Sequence, residues 1–185
     1  MQILTTPDPF LRRVATPVVK YDQKLHQQVQ EMTQLLLSSQ DPEGVGLAAT
    51  QVGLDARLFL LILDDHQNPQ VFINPEIIKA STTMLSAKHK NPKKRWLEGC
   101  LSIPKFWGFV DRPFEITLRF QTPVLQKDGH WTLETQDKVF QDAQSAYAQH
   151  ERDHLDGILF TDHIQKQQGT LFIEKDDELY PVQLP

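Results

Sequence analysis

His150-Glu151-Arg152-Asp153-His154 constrains this chain more than any other stretch. On an α-helix, two imidazoles four residues apart project from one face about one turn apart. Placed so, they can grip one metal ion, and the glutamate beside the first can reach water held on that ion. A catalytic site of this kind takes three protein ligands and keeps one position open, so the helix face must meet a third ligand from elsewhere. Ala143, Ala146 and Tyr147 precede His150 on the same side and Leu155 follows, which seats that face against a core.

At 185 residues, with 39% apolar and 23% charged residues, the chain can bury a sizeable core. No repeat or long low-complexity segment divides it, and residues 1–185 read as a single catalytic domain. A formal charge of -5 argues against binding nucleic acid or anionic lipid through a global field. Met1 to Phe10 has neither a charged n-region nor an apolar h-region, and Leu58 to Leu63, the longest apolar run, is too short to span a bilayer. A cytoplasmic protein with no membrane partner is the expectation. A single cysteine, Cys100, cannot form an internal disulfide and reads as a reduced thiol, either an inert core residue or a chemical one.

Hydropathy patterning predicts a helix from the N-cap Asp22 to about Ser39, with Leu25, Val29, Met32 and Leu36 as one apolar stripe, ended by Asp41-Pro42-Glu43-Gly44. Leu58 to Leu63 and Gln70 to Ile73 read as strands joined by a turn over Asp64 to Pro69. Phe109 to Phe120 and Trp131 to Phe140 read as a second pair, joined through Lys127-Asp128-Gly129. A helix from the N-cap Asp142 to Asp156, stopped by Gly157, carries the two histidines. The tail from Gly169 to Val182 reads as a hairpin around Lys175-Asp176-Asp177.

Two residues compete for the third ligand position. Glu174 lies downstream, as in glutamate-type zinc proteases, although in a strand-like setting. Cys100 lies upstream in Glu98-Gly99-Cys100-Leu101-Ser102; a thiolate is a strong ligand for a soft or borderline cation, and Gly99 would let the backbone come close to the site. A third segment, Gly44-Val45-Gly46-Leu47-Ala48-Ala49-Thr50-Gln51-Val52-Gly53, is glycine-rich but lacks the spacing of a phosphate loop or dinucleotide fingerprint.

Taken in order, the Gly44–Gly53 segment, the Glu98–Ser102 segment and Gln149-His150-Glu151-Arg152-Asp153-His154-Leu155-Asp156-Gly157 closely resemble the three signature motifs of the peptide deformylases. Pro7 to Val18 is similar to that family's opening segment, so the resemblance extends to about Ile164. It implies an α+β fold in which a metal-binding helix packs against antiparallel sheets. It also implies a metal held by Cys100, His150 and His154, usually Fe(II), with zinc, nickel or cobalt able to replace it in isolated protein. The reaction implied is removal of formyl from N-terminal formylmethionine of new polypeptides, releasing formate. A bound metal would lower the pKa of its water, Glu151 would carry the proton, and the resemblance implies that the Gln51 amide and the Leu101 backbone N–H serve the oxyanion. Val45 and Gly46 would pair with the substrate as an added strand.

The methionine pocket is expected along Ala143, Ala146 and Tyr147, with Trp96 as a wall. Glu98 and Arg112 are candidates for an ion pair that fixes the cysteine-bearing loop, and Asp153 is a candidate to orient an imidazole. The Pro75 to Trp96 stretch is longer than in compact members and holds the basic run Lys88 to Arg95. That run reads as a solvated loop, with weak ribosomal RNA contact as the functional alternative and no specific nucleic acid. The end of the chain is acidic and strand-like, unlike the basic ribosome-docking helix of some bacterial members. The runner-up activity is a metallopeptidase using Glu174; a silent formyl-peptide or RNA-binding module is the third reading.

Overall fold

In the computed structural model, residues 1–39, 44–63, 68–91 and 97–182 are described. The expected helix stop at 41–43, most of the turn at 64–69, the 92–95 half of the basic run and Trp96 lie outside these residues.

The helices are α1 (Gln23–Ser38), α2 (Leu85–Lys88), α3 (Asp142–His154) and α4 (Phe160–Lys166). The strands are β1 (Gly46–Ala48), β2 (Leu58–Ile62), β3 (Pro69–Ala80), β4 (Glu98–Cys100), β5 (Ile103–Gly108), β6 (Glu115–Leu125), β7 (Trp131–Gln141), β8 (Leu171–Lys175) and β9 (Glu178–Val182). They form a five-stranded sheet in the order β1-β2-β3-β6-β7 and a four-stranded sheet in the order β4-β5-β8-β9. Every pairing is antiparallel. This is the α+β architecture expected from the sequence.

β2 shows why an unbroken apolar run can be a strand. Leu58 and Leu60 face the cluster built under α1 with Val29, Met32 and Leu36. Phe59 and Leu61, one residue out of phase, face Phe72, Phe140, Ala148 and Leu155 on the side of α3. A strand covered on both faces has no polar phase to display. Each fully buried side chain of this size contributes about 1.5–3 kcal/mol, so this strand's two faces add to the packing of both helices on the sheet.

α1 begins as the sequence predicts: Asp22 Oδ1 accepts from Leu25 N–H at 3.0 Å. α3 differs at its start. Its N-cap is Gln141, while Asp142 is the first helical residue, with φ of 56°, a region Asp tolerates better than most residues. The Asp142 carboxylate lies 2.6 Å from His89 Nε2. At the far end, Ile158 N–H donates to Asp153 O at 3.0 Å and Gly157 N–H to His154 O at 3.2 Å, with Gly157 at φ 70°. That is the Schellman closure expected there.

Two strand expectations change. β3 runs on past Ile73 to Ala80, because Asn74 (φ 50°) forms a bulge rather than a terminus. Residues 109–114 are not strand: Pro113 brings no N–H to a ladder and Arg112 turns into a buried network. The strand read over 109–120 is therefore β6 alone, paired with β7 along its length. The C-terminal hairpin forms as expected, and positive φ at both Asp176 and Asp177 fits a two-residue type I′ turn.

Candidate metal centre

α3 stands between the two sheets. Ala148 and Leu155 belong to the core against the five-stranded sheet, whereas His150 and His154 meet Cys100 at the end of β4. The ligand atoms of Cys100, His150 and His154 lie within 4.8 Å of one another, and all three residues are buried. Cys100 Sγ is 3.2 Å from His154 Nε2. Glu98 Oε2 lies 2.9 Å from His150 Nδ1, which fixes the ring and leaves its other nitrogen for a cation.

Glu98 is itself held by Arg112, which donates through Nε to Oε1 at 2.6 Å and through Nη2 to Oε2 at 3.0 Å. Arg112 Nη1 donates to Asp153 Oδ2 at 2.7 Å, and His163 Nε2 lies 2.8 Å from the same oxygen. The ion pair expected from sequence is thus buried and two-pronged. Asp153 anchors the arginine and orients the imidazole of His163, a residue that sequence reasoning does not single out.

Charge and burial set the titration of these groups. Burial pushes the Cys100 thiol up, but the His154 charge and the contacts of both imidazoles outweigh it, holding the thiol at about 5. Burial likewise opposes ionisation of Glu98, yet Arg112 and His150 bring it down to about 2. Glu151 goes the other way: burial dominates the opposing pull of the imidazoles and lifts it to about 7. A carboxyl in that range exchanges protons near neutrality.

Glu151 also explains Gly46. A Cβ built on Gly46 would fall 2.5 Å from Glu151 Oε1, so the carboxylate claims the space a side chain would need. β1 is the edge strand of its sheet. Ile62 N–H donates to Val45 O at 2.9 Å, and Ala48 N–H donates to Gln51 Oε1 at 2.8 Å. By the alternation of an antiparallel ladder, Gly46 therefore turns its N–H and C=O to the open edge. The Val45 carbonyl is already engaged by β2.

Gln51 lies at the heart of the site, but its amide is turned toward the cysteine: Nε2 is 3.5 Å from Cys100 Sγ and 3.2 Å from Ser102 Oγ. Leu101 follows Cys100 in the tight link to β5. Val45, Gly46, Gln51, Cys100, Leu101 and Glu151 share one pocket of about 180 Å³. Tyr147 lines it as expected; Ala146 is buried and, like Ala143, does not line it. Thr50 and Ser102 also serve the site without having been picked out, Thr50 through a 3.0 Å hydrogen bond to His154 O.

Glu174 is not a third ligand. It sits on β8, where its Oε2 accepts from Trp107 Nε1 at 2.7 Å, and among the described residues the metal-capable group is Cys100, His150 and His154. That donor set fits a divalent cation: an ionised thiolate, an imidazole oriented by a carboxylate, and a proton-carrying glutamate alongside. Glu151 Oε2 is buried without a hydrogen-bonding partner, as suits a group that acts on something brought into the pocket.

A family model described as polypeptide deformylase matches residues 1–170. The chain belongs to the polypeptide deformylase family. It is 33% identical over 180 residues to the peptide deformylase of Mesorhizobium japonicum, covering 96% of this chain and 91% of the relative. The crystal structure of the Thermotoga maritima peptide deformylase superposes with a TM-score of 0.70 at 30% identity, covering 88% of this chain and 95% of the other. Peptide deformylase 1B of Arabidopsis thaliana gives a TM-score of 0.73 at 28% identity, covering 90% and 83% respectively. Among the described residues no helix is long and apolar enough to cross a membrane.

Proposed function

We infer that this chain is a metal-dependent hydrolase that removes the N-formyl group from formylmethionine at the start of new polypeptides. The observation that carries the reading is the meeting of Cys100 from β4 with both α3 imidazoles, with Glu151 lodged against the open edge of β1.

Cys100, His150 and His154 would hold one divalent cation, Fe(II) in the cell by family resemblance, with zinc, nickel or cobalt able to replace it in isolated protein. Such a cation supplies Lewis acidity to water and to the formyl carbonyl. Gly46 pairs with the peptide as an added strand, with Val45 beside it, and fixes the formyl group at Glu151. Glu151 takes the proton of the attacking water and returns one to the departing α-amine. Gln51 Nε2 and the Leu101 N–H donate to the former carbonyl oxygen as it gains charge. Glu98, locked by Arg112, keeps His150 aimed.

Residues 1–185 act as one catalytic unit in the cytoplasm, where formylated nascent chains are its partners. Any ribosome contact is weak and falls to the Lys88 to Arg95 run; neutralising those lysines and arginines should then reduce ribosome co-sedimentation at low salt. The deciding experiment is formate release from formyl-Met peptides by anaerobically purified protein. Turnover with metal present and none after chelation is expected; hydrolysis of internal peptide bonds without formate release would contradict the reading.

A further inference from the structure

Among the described residues the two sheets end at β1, β4, β7 and β9. β1 carries Gly46 and β4 carries Cys100, both in the metal centre. β9 is five residues long and contains Pro181, which brings no N–H to a partner. The remaining edge, β7, is eleven residues long. Its register with β6 is unbroken from Leu125–Trp131 to Glu115–Gln141. Gln126 N–H donates to His130 O at one end of that ladder and Asp142 N–H to Phe114 O at the other, each at 2.8 Å. By antiparallel alternation the even-numbered residues of β7 bond β6, while Leu133, Thr135, Asp137 and Val139 turn N–H and C=O to the open side. Glu134 to Asp137 are exposed, and Val139 is 54% exposed although apolar.

An open edge of this length is a template for another strand, and its side chains select which one. When β7 is laid antiparallel on its own copy with Gln136 at the two-fold axis, Glu134 falls opposite Lys138 of the second copy, twice over. Leu133 then falls opposite Val139, and Thr135 opposite Asp137. The last two pairings exchange backbone hydrogen bonds through groups that already face outward. Glu134–Lys138 and the central glutamines take the non-bonded positions, where side chains come closest. Neighbouring registers are poorer. Centring on Glu134, Asp137 or Lys138 sets like charges face to face, and centring on Thr135 sets Leu133 against Asp137.

We propose that β7 is an interface at which two copies of this chain pair about a two-fold axis, joining their five-stranded sheets into one continuous sheet. Even-numbered side chains of β7 share the face of Phe140, and odd-numbered ones the face of Trp131 and Leu133. The two Glu134–Lys138 pairs therefore lie on one face, and the Leu133–Val139 contacts on the other cover the exposed valine. Charges that would discourage an arbitrary strand thus favour this one. β1 stands at the far end of each sheet, so the Gly46 edge and Glu151 stay open in the pair. The contact is one strand wide and without an apolar core of its own, which makes it a weak, concentration-dependent dimer rather than an obligate one.

Sedimentation velocity of the metal-loaded full chain over a concentration series tests this, with circular dichroism as the check of fold. Wild type should pass from monomer to dimer as concentration rises. Glu134→Lys and Lys138→Glu each turn two attractive pairs into repulsive ones and should raise the dimer Kd about tenfold to hundredfold; the double variant should restore wild-type association. Thr135→Pro removes an outward N–H and none that β6 uses, and should abolish the dimer. Under diamide, Gln136→Cys should form a disulfide-linked dimer that wild type, whose Cys100 is buried, does not. Should Thr135→Pro fail to fold, the charge exchange and the cross-link still decide. Monomer at every concentration up to about 1 mM would overturn the proposal, since even a Kd of that size would then show. So would a dimer indifferent to the single charge reversals, a double variant no tighter than the single ones, or no cross-link through Gln136→Cys. None of these readouts requires the deformylase reading to hold.

Discussion

The five-stranded sheet and the four-stranded sheet grip α3 from opposite sides with different materials. The first buries Phe59, Leu61, Phe72 and Phe140 to near completion, and its rings pack on one another, Phe72 stacking on Phe59 at 5.0 Å and meeting Phe120 at a tilt, 4.6 Å between centroids. The second brings Cys100 and Glu98 to the same helix and fastens them through charge, with Arg112 between Glu98 and Asp153. One side is held by apolar packing that does not depend on metal. The other has carboxylates, a thiol and an arginine that tolerate burial only because each finds its partner. Function is concentrated on the side whose stability is conditional.

That contrast can be broken or sharpened by substitution. Glu151→Gln should give the largest change, a fall of about 10²–10⁴ in kcat, with metal content and thermal midpoint nearly unchanged; formate assays beside metal analysis and calorimetry check it. Arg112→Met leaves two buried carboxylates facing each other and should cost about 3–5 kcal/mol in urea unfolding. It should also weaken metal affinity about 10–100-fold, because His150 loses its fixed partner. Phe72→Ala should cost a comparable 3–5 kcal/mol, yet the folded protein should keep its full metal stoichiometry and kcat. If Phe72→Ala strips metal as Arg112→Met does, the two sheets are not separable in this way. Arg12→Met, which removes the exposed pair with Asp162, should cost less than about 1 kcal/mol, a baseline for what an arginine is worth away from burial.

Legibility in the sequence follows the same division. The apolar side reads directly: the Leu25-Val29-Met32-Leu36 stripe, the doubly buried β2 run and the Gly157 stop all appear where local pattern places them. Pattern fails where long-range contacts override it. Asn74-Pro75 looks like an end and is a bulge inside β3, while Arg112-Pro113 interrupts an apolar stretch in order to serve Glu98 and Asp153. Within the site, the histidine pair and Glu151 are legible because one helix carries them. Cys100 comes from another sheet 50 residues upstream of His150, so local spacing leaves it level with Glu174, and only the family resemblance separates the two. The two glycines are legible as glycines but not in purpose: Gly46 yields space to Glu151 and Gly99 to Trp107, contacts no local pattern encodes.

The central claim is that β4 and α3 close on one cation through Cys100, His150 and His154. Metal content of anaerobically purified wild type, Cys100→Ser and Glu174→Ala tests it most directly. One equivalent per chain in wild type and in Glu174→Ala, with loss from folded Cys100→Ser, is the expected result. Retention by Cys100→Ser together with loss from Glu174→Ala would contradict it.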